Sequence, residues 1–113
     1  MKKNPLFFII HIEDSINDID SFLKGVTKAE FLRHKEKQNA VIRSLEVIGE
    51  AVKNIPIEFT VKYPYIEWSK IAGMRDKLIH HYFGIDLETV WKVVKDYLPK
   101  LKKEIKEIIE KEK

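Results

Sequence analysis

Asp86-Leu87-Glu88-Thr89-Val90-Trp91-Lys92-Val93-Val94-Lys95-Asp96-Tyr97-Leu98-Pro99-Lys100-Leu101 continues through Ile105 and Ile108 to Lys113, and its apolar residues recur at helical intervals. At roughly 100° per residue, Leu87, Val90, Trp91, Val94, Tyr97, Leu98, Leu101, Ile105 and Ile108 fall on one stripe of an α-helix. Asp86 precedes the stripe as an N-cap, a place where a short acceptor side chain satisfies free backbone N–H groups. Pro99 lies inside the helix and predicts a kink. Lysines and glutamates from Lys100 onward alternate at i, i+4 spacings that support an exposed helical tail.

The same period extends toward the amino terminus. Trp68, Ile71, Met74, Leu78 and Ile79 make an amphipathic helix that presents Arg75 on its other side. Gly73 sits within that helix at a cost of about 1 kcal/mol against alanine, which points to close packing of backbone there. Pro56 to Tyr65 reads as a connector with a short helical piece over Ile57 to Tyr63, and Pro64 blocks its continuation. Thr27-Lys28-Ala29-Glu30 is a capping box. It opens a helix with Phe31, Leu32, Val41, Ile42, Leu45, Ile48 and Val52 on its apolar line, a bend near His34 to Glu36 and an end at Asn54. Asn4 and Pro5 read as N-cap and first helical residue. Leu6, Ile9, Ile10, Ile16, Ile19 and Leu23 follow as a stripe that Gly25 terminates. These patterns predict an all-α fold, an up-and-down bundle of four or five antiparallel helices in one domain over residues 1–113.

Composition narrows the function. With four glycines and four prolines in 113 residues, a loop-rich β fold is disfavoured. The absence of cysteine excludes disulfides, cysteine metal sites and thiol nucleophiles, and is compatible with a cytoplasmic location. A net charge of +3 favours RNA without demanding it. The apolar run Leu6 to Ile10 is too short for a secretion core and is soon followed by Glu13 and Asp14. Glu46 and Glu50 stand one turn apart. With no Glu-x-x-His beside them, they read as polar contacts at a dimer seam rather than metal ligands. His11 reads as a packed or half-exposed histidine. Lys24, Lys28, Arg33, Lys35 and Lys37 read as a solvated basic face.

Chemistry concentrates in Gly73-Met74-Arg75-Asp76-Lys77-Leu78-Ile79-His80-His81-Tyr82. An imidazole gives or takes a proton near neutral pH. A guanidinium holds a phosphate through paired hydrogen bonds and neutralises the charge that builds on it. Together they suffice to cleave RNA by activating a ribose 2′-hydroxyl and stabilising the phosphorane. Asp76 and His80, four apart, share a face, so Asp76 could orient the imidazole. Arg75 and Tyr82, seven apart, share another. Arg75 and His80, five apart, diverge by roughly 140° on an ideal helix. The pair thus requires that the helix loosen at His80, that a second copy of the chain complete the site, or both. Taken alone, the spacing also fits an ordinary solvated helix end, with a histidine at the negative C-terminal dipole.

The motif Arg75-x4-His80-x-Tyr82 resembles the Arg-x4-His-x-Tyr signature of HepT-type toxins in the HEPN superfamily of small helical proteins. The resemblance extends to Val41-Ile42-Arg43-Ser44-Leu45-Glu46-Val47-Ile48-Gly49-Glu50-Ala51, to Trp68-x-x-Ile71-Ala72-Gly73-Met74-Arg75-Asp76, and to Phe83-Gly84-Ile85-Asp86 with Val90-Trp91. It covers about residues 4 to 110. It implies a homodimeric, metal-independent endoribonuclease with catalytic Arg75 and His80, needing no cofactor, and with Asp76 at the polar position after the arginine. It further implies a nucleotidyltransferase antitoxin partner (MntA-like) that places AMP on Tyr82 and silences the toxin. The alternative is a non-catalytic helical module that binds a nucleotide or the transferase through the same cleft.

Overall fold

A computed structural model describes residues 4–80 and 84–113, and of His80 it describes the backbone. The element order is α1 (Pro5–Phe22), α2 (Lys28–Arg33), α3 (Lys35–Lys53), α4 (Ile57–Thr60), α5 (Trp68–His80), α6 (Leu87–Lys92), a π-helical turn (Val93–Tyr97) and α7 (Leu98–Glu112). No strand occurs among the described residues. The four long rods are α1, α3, α5 and the run α6–π–α7. Together they make the all-α bundle that the apolar periods predict. Among the described residues no helix is long and apolar enough to cross a membrane.

The helix ends follow the local chemistry. Asn4 Oδ1 accepts from Leu6 N at 2.9 Å, and Pro5 sits at the first turn, where its missing N–H costs nothing. Gly25 closes the α1–α2 corner at φ +73°, a conformation that side chains with a Cβ resist. Thr27 Oγ1 accepts from Glu30 N at 3.1 Å, while the Glu30 carboxylate takes the Thr27 hydroxyl rather than its backbone N–H. The bend near His34 is a full break. His34 adopts φ −110°, ψ 93°, ends α2 and caps α3, its Nδ1 accepting from Lys37 N at 3.3 Å. Asp86 caps α6 by accepting from Glu88 N and Thr89 Oγ1 at 3.0 and 2.9 Å. The Thr89 hydroxyl and backbone bonds hold the Asp86 carboxyl below the usual carboxylate range.

At Pro99, where a kink is expected, the helix is irregular. The Leu98 N–H reaches back five residues to Val93 O, so a π-helical turn stands directly ahead of the proline. The wider turn absorbs the irregularity that a proline without an N–H introduces.

The core lies along α3, which packs against α1 on one side and α5 on the other, while α7 covers α1. From α1 the buried residues are Ile9, Ile12, Ile16, Ile19 and Leu23. Ile12 thus takes the place expected for Ile10, which is 42% exposed. The reason is phase: residues 9, 12, 16, 19 and 23 keep a narrow stripe from which position 10 is rotated by one residue. Val41, Leu45, Ile48 and Val52 of α3 and Leu98, Leu101, Ile105 and Ile108 of α7 complete the centre. Each such side chain contributes about 1.5–3 kcal/mol relative to exposure.

α5 brings two corrections. Gly73 carries no close backbone packing, since a Cβ built there meets nothing within 4 Å. The close approach is at Gly49 of α3, where an added Cβ would stand 2.2 Å from Arg75 Cβ and 3.0 Å from its Cγ. Arg75 therefore does not project from the side of α5 away from the bundle. The first two carbons of its side chain lie on α3.

Candidate active site

Arg75 is held by carboxylates from two helices. Its Nε stands 3.1 Å from Glu50 Oε2 in an ion pair across the α3–α5 contact, and its Nη1 donates to Asp76 Oδ1 at 3.1 Å. Lys53 Nζ reaches the same Asp76 oxygen at 3.0 Å. Hydrogen bonds from Lys53 first and Arg75 second keep the Asp76 carboxyl below its usual range. Asp76 is thus a carboxylate at neutral pH, committed to the arginine and to Lys53. Two cations and two anions balance in this cluster, so any attraction for phosphate comes from the local placement of N–H donors rather than from a broad positive field. Arg75 Nη2 has no hydrogen bond among the described residues. Its side chain is 25% exposed, enough for one edge to be reached from solvent.

Arg75 lines a groove of about 400 Å³ formed with residues of α1, of α3 and its C-cap, and of α5. Phe7, Phe8 and His11 line it from α1, facing Arg43, Glu46 and Asn54 on α3. His11 is exposed, its ring edge-on to Phe7 with centroids 4.5 Å apart. Ile79 of α5 adds an apolar surface that is 38% exposed. Glu46 turns toward Arg43 at 3.9 Å. Among the described residues no three acidic or imidazole groups converge as a metal site would require.

Arg75 and Asp76 thus come together as a charged pair, with partners the sequence reading had not assigned to the site. α5 is α-helical up to the His80 backbone, and the residues beyond it, where a loosening would register, lie outside the described residues. On a regular helix, positions 75 and 80 leave on different sides, roughly 140° apart. The His80 side chain and all of His81, Tyr82 and Phe83 lie outside the described residues. The proposed link from Asp76 to the His80 imidazole and the shared face of Arg75 and Tyr82 therefore fall there as well.

Glu50, Gly49 and Lys53 were missed as neighbours of the arginine. The signal available was Gly49-Glu50 itself: a helix-interior glycine beside an acid, with Lys53 following one turn later. The α1 contribution of Phe7, Phe8 and His11 had no signal, because nothing local in a sequence says which helix lies across from α5.

The chain is thus a small all-α bundle with an arginine lining a groove between three of its helices. The family model described as "Ribonuclease HepT-like" matches residues 12–108, and the chain belongs to that family. Its class of activity is accordingly ribonuclease. The chain is 52% identical over 108 residues to "Putative RNase MJ0127" of Methanocaldococcus jannaschii, covering 96% of this chain and 89% of that protein. It is 46% identical over 102 residues to "Probable ribonuclease HepT" of Thermococcus cleftensis, covering 90% and 93%. It is 42% identical over 111 residues to "Putative RNase TTE0752" of Caldanaerobacter subterraneus subsp. tengcongensis, covering 98% and 99%. No solved structure matches it significantly.

Proposed function

We infer that this ribonuclease is a metal-independent endoribonuclease acting as a homodimer, the toxin of a toxin–antitoxin pair. The observation that carries the reading is the Arg75 guanidinium, paired on two nitrogens and without a partner on the third among the described residues, lining a groove of about 400 Å³. In this reading Arg75 holds the scissile phosphate and stabilises the charge of the phosphorane. His80 acts as general base and acid. The ribose 2′-oxygen forms a bond to phosphorus, the bond from phosphorus to the 5′-oxygen breaks, and the departing oxygen takes a proton. One fragment carries a 2′,3′-cyclic phosphate and the other a 5′-hydroxyl.

Ideal helix geometry supports a homodimer. A regular helix sets positions 75 and 80 apart, and a twofold cleft would pair an arginine from one copy with a histidine from the other. The exposed apolar residues Phe7, Ile10 and Ile79 are suited to the seam. Tyr82 is the control point. A nucleotidyltransferase antitoxin would form a bond from its phenolic oxygen to the α-phosphorus of ATP, releasing pyrophosphate. The added AMP would bring bulk and negative charge toward the arginine that substrate phosphate needs.

The test is RNA cleavage in EDTA by wild type, His80→Ala and Tyr82→Phe, with intact mass and oligomeric state recorded for each. Cleavage by unmodified wild type that disappears in His80→Ala supports the nuclease mechanism. A mass gain of whole AMP units on co-expression with the transferase, absent from Tyr82→Phe, supports the silencing step. Intact RNA after incubation with unmodified, dimeric wild type would sink the nuclease reading.

A further inference from the structure

Arg75 is the point where the α3–α5 contact and the groove meet, and two adjacent residues of α3 decide how it sits. At Gly49 the Arg75 side chain occupies the space a Cβ would need, with its own Cβ only 2.2 Å from that position. No residue with a Cβ tolerates such an approach without moving one helix relative to the other. At the next residue the Glu50 carboxylate pairs with the Arg75 guanidinium, its Oε2 standing 3.1 Å from Nε. One residue fixes where the side chain begins and the other fixes the plane in which it ends. A free arginine has four rotatable side-chain bonds and samples many orientations, and restraining them before substrate arrives removes that entropy from the reaction.

We propose that Gly49 and Glu50 are positioning residues for Arg75: Gly49 admits its stem against α3, and Glu50 clamps Nε so that the Nη2 edge faces a substrate phosphate. This rests on the reading of Arg75 as the phosphate-binding residue. The alternative role for Glu50 has the opposite sign. A carboxylate beside a phosphate-binding arginine can compete with the phosphate, and its removal would then tighten substrate binding. The contact geometry favours the clamp, because Glu50 pairs at Nε and, among the described residues, nothing takes the Nη2 hydrogens.

The experiment compares wild type, Glu50→Ala, Glu50→Gln, Gly49→Ala and Arg75→Lys as full chains. Cleavage of an RNA oligonucleotide is separated into kcat and KM, with thermal unfolding as the folding control. Exchange of the Arg75 Nε–H with water, followed by NMR, reports the clamp without activity. Glu50→Ala should lower kcat about tenfold or more with KM within twofold, since small misplacements cost up to about a hundredfold. Glu50→Gln, which keeps an acceptor, should recover most of that loss. In the Arg75→Lys background Glu50→Ala should cost little more, because the partner of the clamp is gone.

The Arg75 Nε–H should exchange slowly in wild type and faster in Glu50→Ala. Unchanged kcat in Glu50→Ala, or a lowered KM, would overturn the clamp while leaving the nuclease reading intact. Fast Nε–H exchange already in wild type would overturn it too. Full activity in Arg75→Lys together with no change in Glu50→Ala would instead remove Arg75 from the mechanism. Gly49→Ala should lose activity beyond its change in stability, and it is judged only if it folds. Glu50→Ala and the exchange measurement decide the proposal without it.

Discussion

Two polar clusters of this protein are built from similar parts and lead to opposite ends. In one, Lys53, Asp76, Arg75 and Glu50 join α3 to α5. In the other, Glu112 near the end of α7 takes Lys62 Nζ at 2.7 Å and a short hydrogen bond from the Tyr63 hydroxyl. Tyr63 is only 5% exposed, and its phenol is pushed up to about 12 by burial first and by Glu112 second. Lys62, then Tyr63, holds the Glu112 carboxyl below its ordinary range. In the second cluster the phenol is spent inside the fold, and the carboxylate ties the carboxyl-terminal helix to the connector before α5. In the first, the carboxylates pair with two nitrogens of a guanidinium, and the third has no partner among the described residues. Perturbed ionisation alone would flag both places. What separates a staple from a site is the kind of donor left over: Lys62, though 52% exposed, offers a point charge, whereas a guanidinium offers the planar paired donors that suit a phosphate.

The largest effect expected from this contrast is in activity. Arg75→Ala should reduce cleavage by about a hundred- to a thousandfold, the usual cost of removing one donor to a developing oxyanion, with little change in fold. Tyr63→Phe should leave cleavage per folded molecule unchanged. Equal losses from the two substitutions would erase the distinction.

Gly49 and Gly73 sharpen it next. Gly49→Ala should destabilise by about 1–3 kcal/mol, the range for forcing extra volume into a packed contact. Gly73→Ala, with open space around the new methyl, should stabilise by about 0.5–1 kcal/mol through helix propensity. Chemical denaturation of the pair gives both numbers, and a shared sign would show that the α3–α5 approach is not where the structure has it.

Between these in size, Tyr63→Phe should cost about 1 kcal/mol at neutral pH, because a hydrogen bond to a charged group is lost while Glu112 keeps Lys62. The pH dependence gives the most specific signal. The folded phenol binds its proton more tightly than the unfolded one. Its contribution is therefore complete below about pH 10 and is lost as pH rises toward about 12. Wild type should lose stability through that window more steeply than Tyr63→Phe, as followed by urea unfolding at each pH.

Much of the fold could be read locally. Asn4, Thr27 and Asp86 announced their caps because a short acceptor ahead of an apolar stripe has few other uses. Gly25 marked its corner because positive φ suits no other residue as well. Ile10 was misplaced, since adjacent isoleucines leave the phase of a stripe open by one residue until a neighbouring helix chooses between them. Pro99 declared an irregularity but not its form: bending and a π-helical turn both relieve a missing N–H, and packing selects between them.

For the site the division is sharper. The sequence by itself determined an all-α chain, the presence of Arg75, Asp76, His80 and Tyr82 within a few turns, and the impossibility of cysteine chemistry, because period, spacing and composition are properties of the chain alone. Only the tertiary structure decided that Arg75 lies on Gly49, that Glu50 rather than a distant partner takes its Nε, and that Phe7 and His11 of α1 line the groove beside it. The physical reason is separation. Residues 7, 49 and 75 belong to three helices, and no local propensity encodes which faces meet. That choice belongs to the burial of the whole apolar surface at once.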